Sequence, residues 1–454
     1  MGEKTEKVPF IICGKQKTGE HQVLEFGHKD NRTKICLPEI TDSDIHQIAK
    51  TDTEALHELS INGIIDFYSK AGKLWGSPQY EKREELVDLT SRVTGYSREM
   101  IELGMQQICG ILTKEYIEAT IHSDLGDKRL MDEWVARAES IVHCQPRGKM
   151  LHILAGNVPA VAITSIVRGS LTKNANIIKM SDRDVITASY FAQSFQDVDP
   201  EHPVTKTTSV LYWPHTDHEM FSKIISLVNA VSVWGGHDAI HETRKSTPQG
   251  VELLEFGPRR GIQFIGKDAF HDLDKATKNA SHDLTLFDQE ACFSPQVAFV
   301  EGDAERYAES LAKSLEEENA RLPKGYSDPK FHANITNARM YSKFRGHKVH
   351  SSAKTEWTII VANKMEDFPT HPLGRTIFII PVKDLSESIE HIGPETQVVA
   401  IEPYSRAADL KEQLTMKGVD RITHLGKMGY FAAGSPHEGM YPLSRMVRWV
   451  KMRP

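Results

Sequence analysis

Cys292 is the residue of this 454-residue chain whose surroundings best suit covalent chemistry. It lies in a polar turn at 288–296, which is followed at once by an apolar, strand-like run at 297–300. A thiol on such a turn can be presented to a substrate, and its thiolate is the form that attacks. The alternative is a small packing residue, because cysteines outside disulfides are often fully buried. On the residues alone both interpretations stay open.

Asn157 is the second candidate for chemistry. It follows a strand-like run in the turn at 154–159. Thiolate attack on an acyl carbonyl creates an oxyanion, and the amide of a loop asparagine is a suitable donor to it. The same asparagine could instead cap the helix that begins near Pro159. Together, Cys292 and Asn157 indicate acyl chemistry through a thioester.

A second set of residues could hold a cofactor. Gly235 and Gly236 stand between a strand and a helix, where the backbone can approach a phosphate, although a tight turn is the simpler interpretation. Lys179 ends a strand and could reach a ribose or phosphate, or be an ordinary solvated lysine. Asp182 suits the ribose of NAD and Arg183 the 2′-phosphate of NADP, so the pair does not decide between the cofactors. Both also suit the first turn of a helix.

Glu255 lies at the boundary between two regions of alternating strands and helices. A carboxylate at such a boundary could act as a general base in a cleft. A surface charge is the favoured interpretation when Glu255 is considered alone.

The composition is that of a globular protein of two or three domains, with 39% hydrophobic and 26% charged residues. The net charge of -7 and the lack of a basic stripe argue against nucleic-acid binding. Five scattered cysteines without a CxxC pair predict neither disulfides nor a metal site. The start lacks the apolar core of a signal peptide, and the longest apolar stretch is too short for a membrane span. We therefore expect a cytoplasmic protein.

From residue 149 onward, strands and helices alternate. Four βα units with short connections predict a parallel, doubly wound sheet, and its ligands bind beyond the carboxyl ends of the strands. The predicted strands are 150–154, 176–180, 208–213 and 230–234, and the predicted helices are 160–171, 183–195, 217–228 and 237–245.

The flanking regions are predicted with the same rules. Before residue 140 we expect strand pieces, one of them within 9–14, and then helices at 43–50, 55–71, 81–94 and 98–121. After residue 257 we expect strands at 261–265, 296–300, 376–381 and 398–401, with helices at 269–285, 304–320, 386–391 and 405–417. The predicted domains are a mostly helical segment at 1–140 packed on a cofactor domain at 141–256, a domain carrying the cysteine at 257–432, and a C-terminal arm at 433–454.

The order Asn157, Lys179, Glu255, Cys292 resembles that of the aldehyde dehydrogenase superfamily. Several stretches resemble more closely the LuxC-type long-chain acyl reductases of bacterial bioluminescence. They are LAGNVP at 154–159, LTKN at 171–174, WGGHDAI at 234–240, FGP at 256–258 and DQEACFS at 288–294. The resemblance implies an α/β fold with a Rossmann-type cofactor domain, an α/β catalytic domain and a small oligomerisation arm.

The resemblance further implies reduction of a long-chain fatty acyl thioester to the fatty aldehyde with NADPH, through an acyl thioester on Cys292. Asn157 would bind the oxyanion. Glu255 stands where the oxidising members keep a general base, and could assist proton handling or allow a slow thioesterase reaction. Lys179, Asp182, Arg183 and the glycines 235 and 236 would contact the cofactor. The superfamily's glutamate–phenylalanine cofactor motif is not visible near 372–375.

The same resemblance implies partners. Acyl-CoA or an acylated synthetase would donate the acyl group, an acyl-transferase or thioesterase would supply fatty acid, and luciferase would receive the aldehyde. A homo-oligomer is expected, with 141–154 and 440–454 as its candidate contacts.

Three alternatives remain. The same fold could run oxidatively as a CoA-linked or hydrolytic aldehyde dehydrogenase, which Glu255 favours. A cysteine thioesterase or acyl carrier would acylate Cys292 without any redox step. A scaffold protein would leave the loops of Asn157, Gly235 and Cys292 unexplained at what we expect to be one sheet edge.

Overall fold

A computed structural model of the protein describes residues 4–27, 32–326, 328–362 and 371–453. Residues 1–3 of the first predicted domain and Pro454 of the predicted arm lie outside the described residues. The chain forms two compact units. The first contains 1–94, 101–257 and 432–454, and the second contains 95–100 and 258–431.

Short strands precede helices in the N-terminal part. The strands are β1 (Lys4–Lys7), β2 (Phe10–Ile12), β3 (Lys15–Lys17), β4 (Gln22–Phe26) and β5 (Thr33–Leu37); the helices are α1 (Asp42–Ala49), α2 (Glu54–Glu58), α3 (Ile61–Gly76), α4 (Glu81–Thr94), α5 (Arg98–Ile111) and α6 (Lys114–Leu125). The helix predicted at 55–71 is two helices, because Ser60 is extended and caps α3 through the Gly63 N–H. Thr113 divides the one predicted at 98–121 in the same way, by accepting from the Tyr116 N–H.

The first unit contains a Rossmann-type sheet. Its chain continues through β6 (Val135–Arg137), β7 (Ser140–Pro146), β8 (Lys149–Ile153), α7 (Ala160–Leu171), β9 (Ala175–Lys179), α8 (Thr187–Val198), α9 (Pro203–Lys206), β10 (Thr208–Leu211), α10 (His218–Ile225), β11 (Ala230–Trp234), α11 (His237–Ser246) and β12 (Glu252–Phe256). The sheet order is β12-β11-β8-β9-β10-β2-β3, and β8 to β12 are parallel. The predicted doubly wound sheet is confirmed.

One helix boundary in this unit differs from the prediction. The helix predicted to start at Arg183 begins at Thr187. Residues 181–184 form a turn instead, closed by a bridge between Ser181 and Asp184. The carboxylate of Asp184, not Asp182, accepts the N–H groups of Ile186 and Thr187 at 3.0 and 2.9 Å.

The N-terminal helices pack against the sheet's helices through buried polar contacts as well as apolar ones. The Tyr68 hydroxyl donates to Ser170 Oγ at 2.7 Å, and the Trp75 indole donates to Ser194 Oγ at 3.0 Å. Both rings are fully buried, so each polar tip needs the partner that it finds. These contacts fix α3 on α7 and α8.

The second unit is also an α/β sheet. It comprises β13 (Arg260–Ile265), α12 (Leu273–Thr285), β14 (Pro295–Glu301), α13 (Ala304–Arg321), α14 (Pro329–Phe344), β15 (Lys348–Ser351), β16 (Thr358–Val361), β17 (Thr376–Val382), β18 (Thr396–Glu402), α15 (Ala407–Met416) and β19 (Arg421–His424). The order is β15-β16-β17-β14-β13-β18-β19, with only β15 antiparallel among these strands. The helix predicted at 386–391 is a 3-10 helix, Leu385–His391, and 3-10 structure at Lys267–Asp272 also replaces the start of the helix predicted at 269–285.

The chain ends with α16 (Pro442–Met446) and β20 (Val447–Met452) in the first unit. β20 pairs antiparallel with β7, from Val447 opposite Pro146 to Met452 opposite Ile141. This small sheet, of order β20-β7-β6, contains residues 141–146 and 447–452 of the two segments expected to form oligomer contacts. That role stays a prediction.

No helix among the described residues is both long and apolar enough to span a membrane.

Candidate active site

Cys292 lies on a turn of the second unit, between the 3-10 turn Leu286–Gln289 and β14. Its side chain is half-buried, whereas Ala291 and Phe293 on either side are buried. β14 is the central strand of its sheet, so the thiol stands at the amino-terminal edge of the parallel strands. The expectation of one shared sheet edge is wrong, because the loops of Asn157 and Gly235 belong to the other sheet.

The residues before Cys292 hold an unusual backbone. Phe287, Asp288 and Gln289 have φ of 48°, 49° and 70°, a left-handed conformation that costs about 1–2 kcal/mol per residue outside glycine. Buried side-chain bonds hold it in place. The Gln289 amide donates to the carbonyls of Pro295 and Thr376, at 2.6 and 2.5 Å, and accepts the Thr376 N–H at 2.8 Å. The turn that presents Cys292 is thereby tied to β14 and β17.

A buried ion pair adds to this support. The Arg375 guanidinium is completely buried and donates from Nε to Asp288 Oδ1 at 2.8 Å. Its Nη1 donates to Asn319 Oδ1 and to the Leu322 carbonyl. The other Asp288 oxygen accepts the Gly325 N–H at 3.0 Å. Arg375 closes the PLGR stretch at 372–375, so that stretch helps to fix the cysteine turn.

The thiol of Cys292 interacts with two polar side chains from other strands of its sheet. Gln397 of β18 is buried and donates from Nε2 to the sulfur at 3.3 Å. Arg421 of β19 interacts electrostatically with Cys292. Burial lowers the pKa of Arg421 to about 10, against the opposing influence of Cys292 and Asp283. Both an N–H donor and a positive charge favour the thiolate.

The other cysteines are less suited to attack. All five lie within the described residues and none of them forms a disulfide. Burial raises the pKa of Cys144 to about 12 and also raises the pKa of Cys109. Cys36 is buried in β5. Cys13 is half-buried on a turn, but its sulfur contacts the hydroxyls of Thr51 and Ser209, at 3.3 and 3.9 Å, and not an N–H donor. The geometry therefore favours Cys292 among the five.

In the first unit, two candidate loops lie where the strand order changes direction. The chain runs outward from β8 through β9 and β10, then returns to β11 beside β8. Such a switch point is where ligands of open α/β sheets bind. The loop after β8 carries Asn157 and the loop after β11 carries Gly235 and Gly236. Pro159, not Asn157, occupies the N-cap position of α7.

Gly235 and Gly236 leave open space at the N-terminus of α11. Gly236 is the N-cap of α11, and a Cβ at that position would meet none of the described atoms within 4 Å. The residue is exposed, and the first turn of α11 follows it. An open helix N-terminus next to a switch point can accept a phosphate.

Lys179 ends β9 against two aromatic rings. Its ammonium lies 5.8 Å from the ring centre of Tyr212 and 5.4 Å from that of Trp213. Burial lowers the pKa of Lys179, while Asp182 opposes this. A cavity of about 400 Å³ opens beside the same rings. It is lined in part by Trp213, Pro214 and Met220.

Asp182 and Arg183 are exposed on the turn after β9. This turn lies against the loop of Asn157, since a Cβ at Gly156 would stand 2.6 Å from the Arg183 Cβ and 2.8 Å from Ser181 Oγ. Only glycine fits there. The structure thus brings the predicted residues Asn157, Lys179, Asp182 and Arg183 together at the carboxyl ends of β8 and β9.

Glu255 lies on β12, the edge strand of the first sheet. Its carboxylate is bound by Arg244 of α11, which donates from Nε to Oε1 at 2.8 Å and from Nη2 to Oε2 at 2.5 Å. Glu255 raises the pKa of Arg244 through this hydrogen bond. The carboxylate is therefore engaged by a cation in this conformation.

The described residues contain no group of three or more His, Cys, Asp or Glu side chains arranged to hold a metal ion. The candidate residues at the carboxyl ends of β8, β9 and β11 suit a dinucleotide. They include an ammonium, a carboxylate, an arginine and an open helix N-terminus along one switch point.

Residues 56–449 match the family model described as Acyl-CoA reductase (LuxC). The chain belongs to the LuxC family. Membership makes it an oxidoreductase that acts on an acyl group. It is 33% identical to the long-chain acyl-protein thioester reductase of Vibrio harveyi, over 98% of this chain and 92% of that protein. It is 34% identical to long-chain acyl-protein thioester reductase 2 of Photobacterium leiognathi, over 98% and 93%.

Solved aldehyde dehydrogenases share the fold of this LuxC-family chain. One is aldehyde dehydrogenase 21 of Physcomitrella patens, with a TM-score of 0.77, 13% identity and 99% of each chain covered. Another is the NADP-dependent glyceraldehyde-3-phosphate dehydrogenase of Bacillus halodurans C-125, with a TM-score of 0.74, 15% identity, and 98% and 99% covered. The predicted aldehyde dehydrogenase-like fold is confirmed.

Sequence reasoning missed the groups that surround the LuxC-family cysteine. Gln397 and Arg421 stand far along the chain from Cys292, in segments that look like ordinary strand starts. Arg375 lies in the stretch 372–375, which the sequence marks only as a place where the superfamily's cofactor motif is not visible. A sequence signal existed at 288–289, where an acid and an amide stand four and three residues before the cysteine.

Proposed function

We propose that this chain reduces a long-chain fatty acyl thioester to the fatty aldehyde with NADPH, through an acyl thioester on Cys292. The observation that carries the proposal is the half-buried thiol on a fixed turn, with an amide N–H on its sulfur and an arginine nearby. Membership of the LuxC family supports the reaction class. In this proposal 141–256 serves as the cofactor domain and 257–432 as the catalytic domain.

Cys292 would carry the acyl group between two steps. Its thiolate attacks the acyl carbonyl, the C–S bond to the donor breaks, and the donor leaves as a thiolate. The acyl-Cys292 thioester then accepts a hydride at the same carbonyl carbon. Collapse of the resulting hemithioacetal breaks the C–S bond, releases the aldehyde and returns the Cys292 thiolate.

Asn157 is proposed to stabilise the oxyanion that arises in both steps. Its side-chain amide and the backbone N–H of Cys292 would be the donors. One such donor contributes about 3 kcal/mol to the transition state in comparable sites. The family resemblance of the stretch at 154–159 supports this role.

NADPH, when bound, supplies the hydride. Lys179, Asp182 and Arg183 would hold its ribose and 2′-phosphate, and the α11 N-terminus at Gly235 and Gly236 would receive its diphosphate. Arg183, exposed on the turn after β9, would suit the 2′-phosphate of NADPH. A structural neighbour of 15% identity is named as NADP-dependent.

The acyl donor is proposed to be acyl-CoA or an acylated partner protein. Relatives at 33–34% identity are named acyl-protein thioester reductases, which supports the protein donor. A synthetase and an acyl-transferase or thioesterase would then be partners in the cytoplasm, with the aldehyde used for light emission. The β20–β7 sheet would mediate a homo-oligomer.

Incubation with tetradecanoyl-CoA and NADPH is expected to oxidise NADPH and yield tetradecanal in equal amounts. The measurement follows absorbance at 340 nm and identifies the trapped aldehyde by mass spectrometry. NADH is expected to give a lower kcat/KM, because only NADPH has the phosphate for Arg183.

Three outcomes would count against the proposal. Tetradecanoic acid without NADPH oxidation would indicate a thioesterase. Faster oxidation of tetradecanal than reduction of its thioester, under matched cofactor concentrations, would indicate a dehydrogenase. If tetradecanoyl-CoA is inert, an acylated synthetase is the donor to test, and its failure too would reject the reductase.

Glu255→Gln is expected to leave both aldehyde formation and hydrolysis of the acyl-enzyme within about threefold of the wild type. A reductase has no need of activated water, and the carboxylate is already bound by Arg244. Arg244 is exposed, so loss of this pair should hardly change stability. The measurement is the release of acid from acylated enzyme without NADPH, beside aldehyde formation with it. A large loss of aldehyde formation would instead make Glu255 part of the reduction.

A further inference from the structure

Gln397 holds the sulfur of Cys292 from a strand that begins beside the cysteine turn. It is the second residue of β18 and is 2% exposed. Its Nε2 lies 3.3 Å from the sulfur. An amide N–H can only donate, so this contact is stronger when the sulfur is an anion.

Two backbone carbonyls and an aromatic ring hold the Arg421 guanidinium in place. Its Nη1 donates to the Tyr430 carbonyl at 2.7 Å and its Nη2 to the Met428 carbonyl at 2.5 Å. The guanidinium carbon lies 4.3 Å from the ring centre of Phe431. That ring packs edge-on against Phe293, the residue after Cys292, at 5.9 Å between centres. Arg421 is thus built into the packing around the cysteine.

Asp283 of α12 anchors the loop that holds Arg421. Its buried carboxylate accepts the Gly426 N–H at 2.6 Å and the Met428 N–H at 2.9 Å. The loop also fits closely under the cysteine turn, since a Cβ at Gly429 would stand 3.3 Å from the Phe293 ring. Asp283, the loop 425–431 and Arg421 therefore form one connected support.

We propose that Gln397 and Arg421 are positioning residues that keep the Cys292 sulfur anionic and aimed for attack. The inference rests on the proposed function, in which that thiolate is the nucleophile. No general base is then needed to remove the thiol proton. This agrees with the ion pair between Arg244 and the Glu255 carboxylate, which engages the candidate base. The ordinary thiol is about 3% ionised at pH 7, so a lower titration point raises the reactive fraction directly.

The charged groups around this sulfur come from several elements. Arg421 on β19 supplies the cation, and Asp283 on α12 faces Arg421. Glu290 lies on the cysteine turn itself. On β13, Arg260 is paired with Glu395 at 2.7 Å. Gln397 adds a dipole without a net charge.

The test is the pH profile of Cys292 alkylation by iodoacetamide, followed on the Cys292 peptide by mass spectrometry. It needs neither NADPH nor an acyl donor. Arg421→Gln is expected to move the half-maximal pH upward by about one unit and to slow alkylation at pH 7 about tenfold. Gln397→Met, which removes only the N–H donor, is expected to move it in the same direction by less. Arg421→Lys, which keeps the charge, should stay nearer the wild type than Arg421→Gln.

A solely structural role would leave the half-maximal pH in place. An unchanged profile in Arg421→Gln with an unchanged melting temperature overturns the inference. The inference is also overturned if the half-maximal pH rises as much in Arg421→Lys as in Arg421→Gln. The same conclusion follows if it rises as much in the control Arg306→Gln, on the exposed side of α13. If Arg421→Gln does not fold, Gln397→Met decides alone. Aldehyde formation by Cys292→Ala would reject the proposed function separately, whatever the alkylation profile.

Discussion

Replacement of Cys292 by alanine is expected to abolish NADPH-dependent aldehyde formation, with a fall in turnover of at least about 10⁴-fold. No other described cysteine combines a half-buried turn position with an N–H donor on its sulfur. Without the thiolate there is no acyl-enzyme to reduce. The measurements are tetradecanal formed per enzyme and covalent labelling by radioactive tetradecanoyl-CoA in the absence of NADPH.

The matched control is Cys109→Ala. Cys109 is also half-buried, but burial raises the pKa of its thiol, so it should be unreactive at neutral pH. This variant is expected to label and to reduce like the wild type. Covalent labelling that persists in Cys292→Ala would assign the nucleophile to another residue.

The sheets were predictable because their strands are short apolar runs bounded by turn residues. Ala230–Trp234 was predicted to the residue, since all five of its side chains are buried. α7, Ala160–Leu171, was also predicted to the residue, because its mostly buried apolar run has the spacing of a helix. The alternation of these runs with helices then predicts a parallel sheet without knowledge of any contact.

The early strands were harder because their periodicity is weak. β1 and β3 are largely exposed and have three or four residues, mostly lysine, glutamate and glutamine. Neither burial nor alternation distinguishes such segments from loops. They are strands because neighbours pair with them, as β5 does with β1 and β2 with β3.

In the candidate site, some residues can be found from the local sequence pattern, whereas others depend on which strands become neighbours. Asn157, Lys179, Gly235 and Cys292 each follow or precede a recognisable strand, so local pattern and family resemblance found them. The support of Cys292 depends on which strands become neighbours. Gln397 reaches the sulfur across 105 residues, because β18 lies two strands from β14 in the sheet. A single sequence contains no signal for that order.

Arg375→Met is expected to destabilise the second unit by about 3–5 kcal/mol, because it leaves the Asp288 carboxylate buried beside an apolar side chain. Arg375 is 0% and Asp288 is 8% exposed, so water cannot replace the guanidinium. The backbone at Arg375 is left-handed, with φ of 64°. Methionine pays the same conformational penalty there as arginine, so the change tests the ion pair.

Hydrogen exchange of the β14 and β17 amides is the measurement, since it reports on the second unit alone. A loss of 3–5 kcal/mol corresponds to exchange that is about 10² to 4 × 10³ times faster. Arg306→Met, on the exposed side of α13, is the matched control and should change stability by no more than about 0.5 kcal/mol. The double variant Asp288→Asn with Arg375→Met should recover part of the loss, because no unpaired charge remains. Unchanged protection in Arg375→Met would mean that the pair does not hold the cysteine turn, whose left-handed residues would then depend on Gln289.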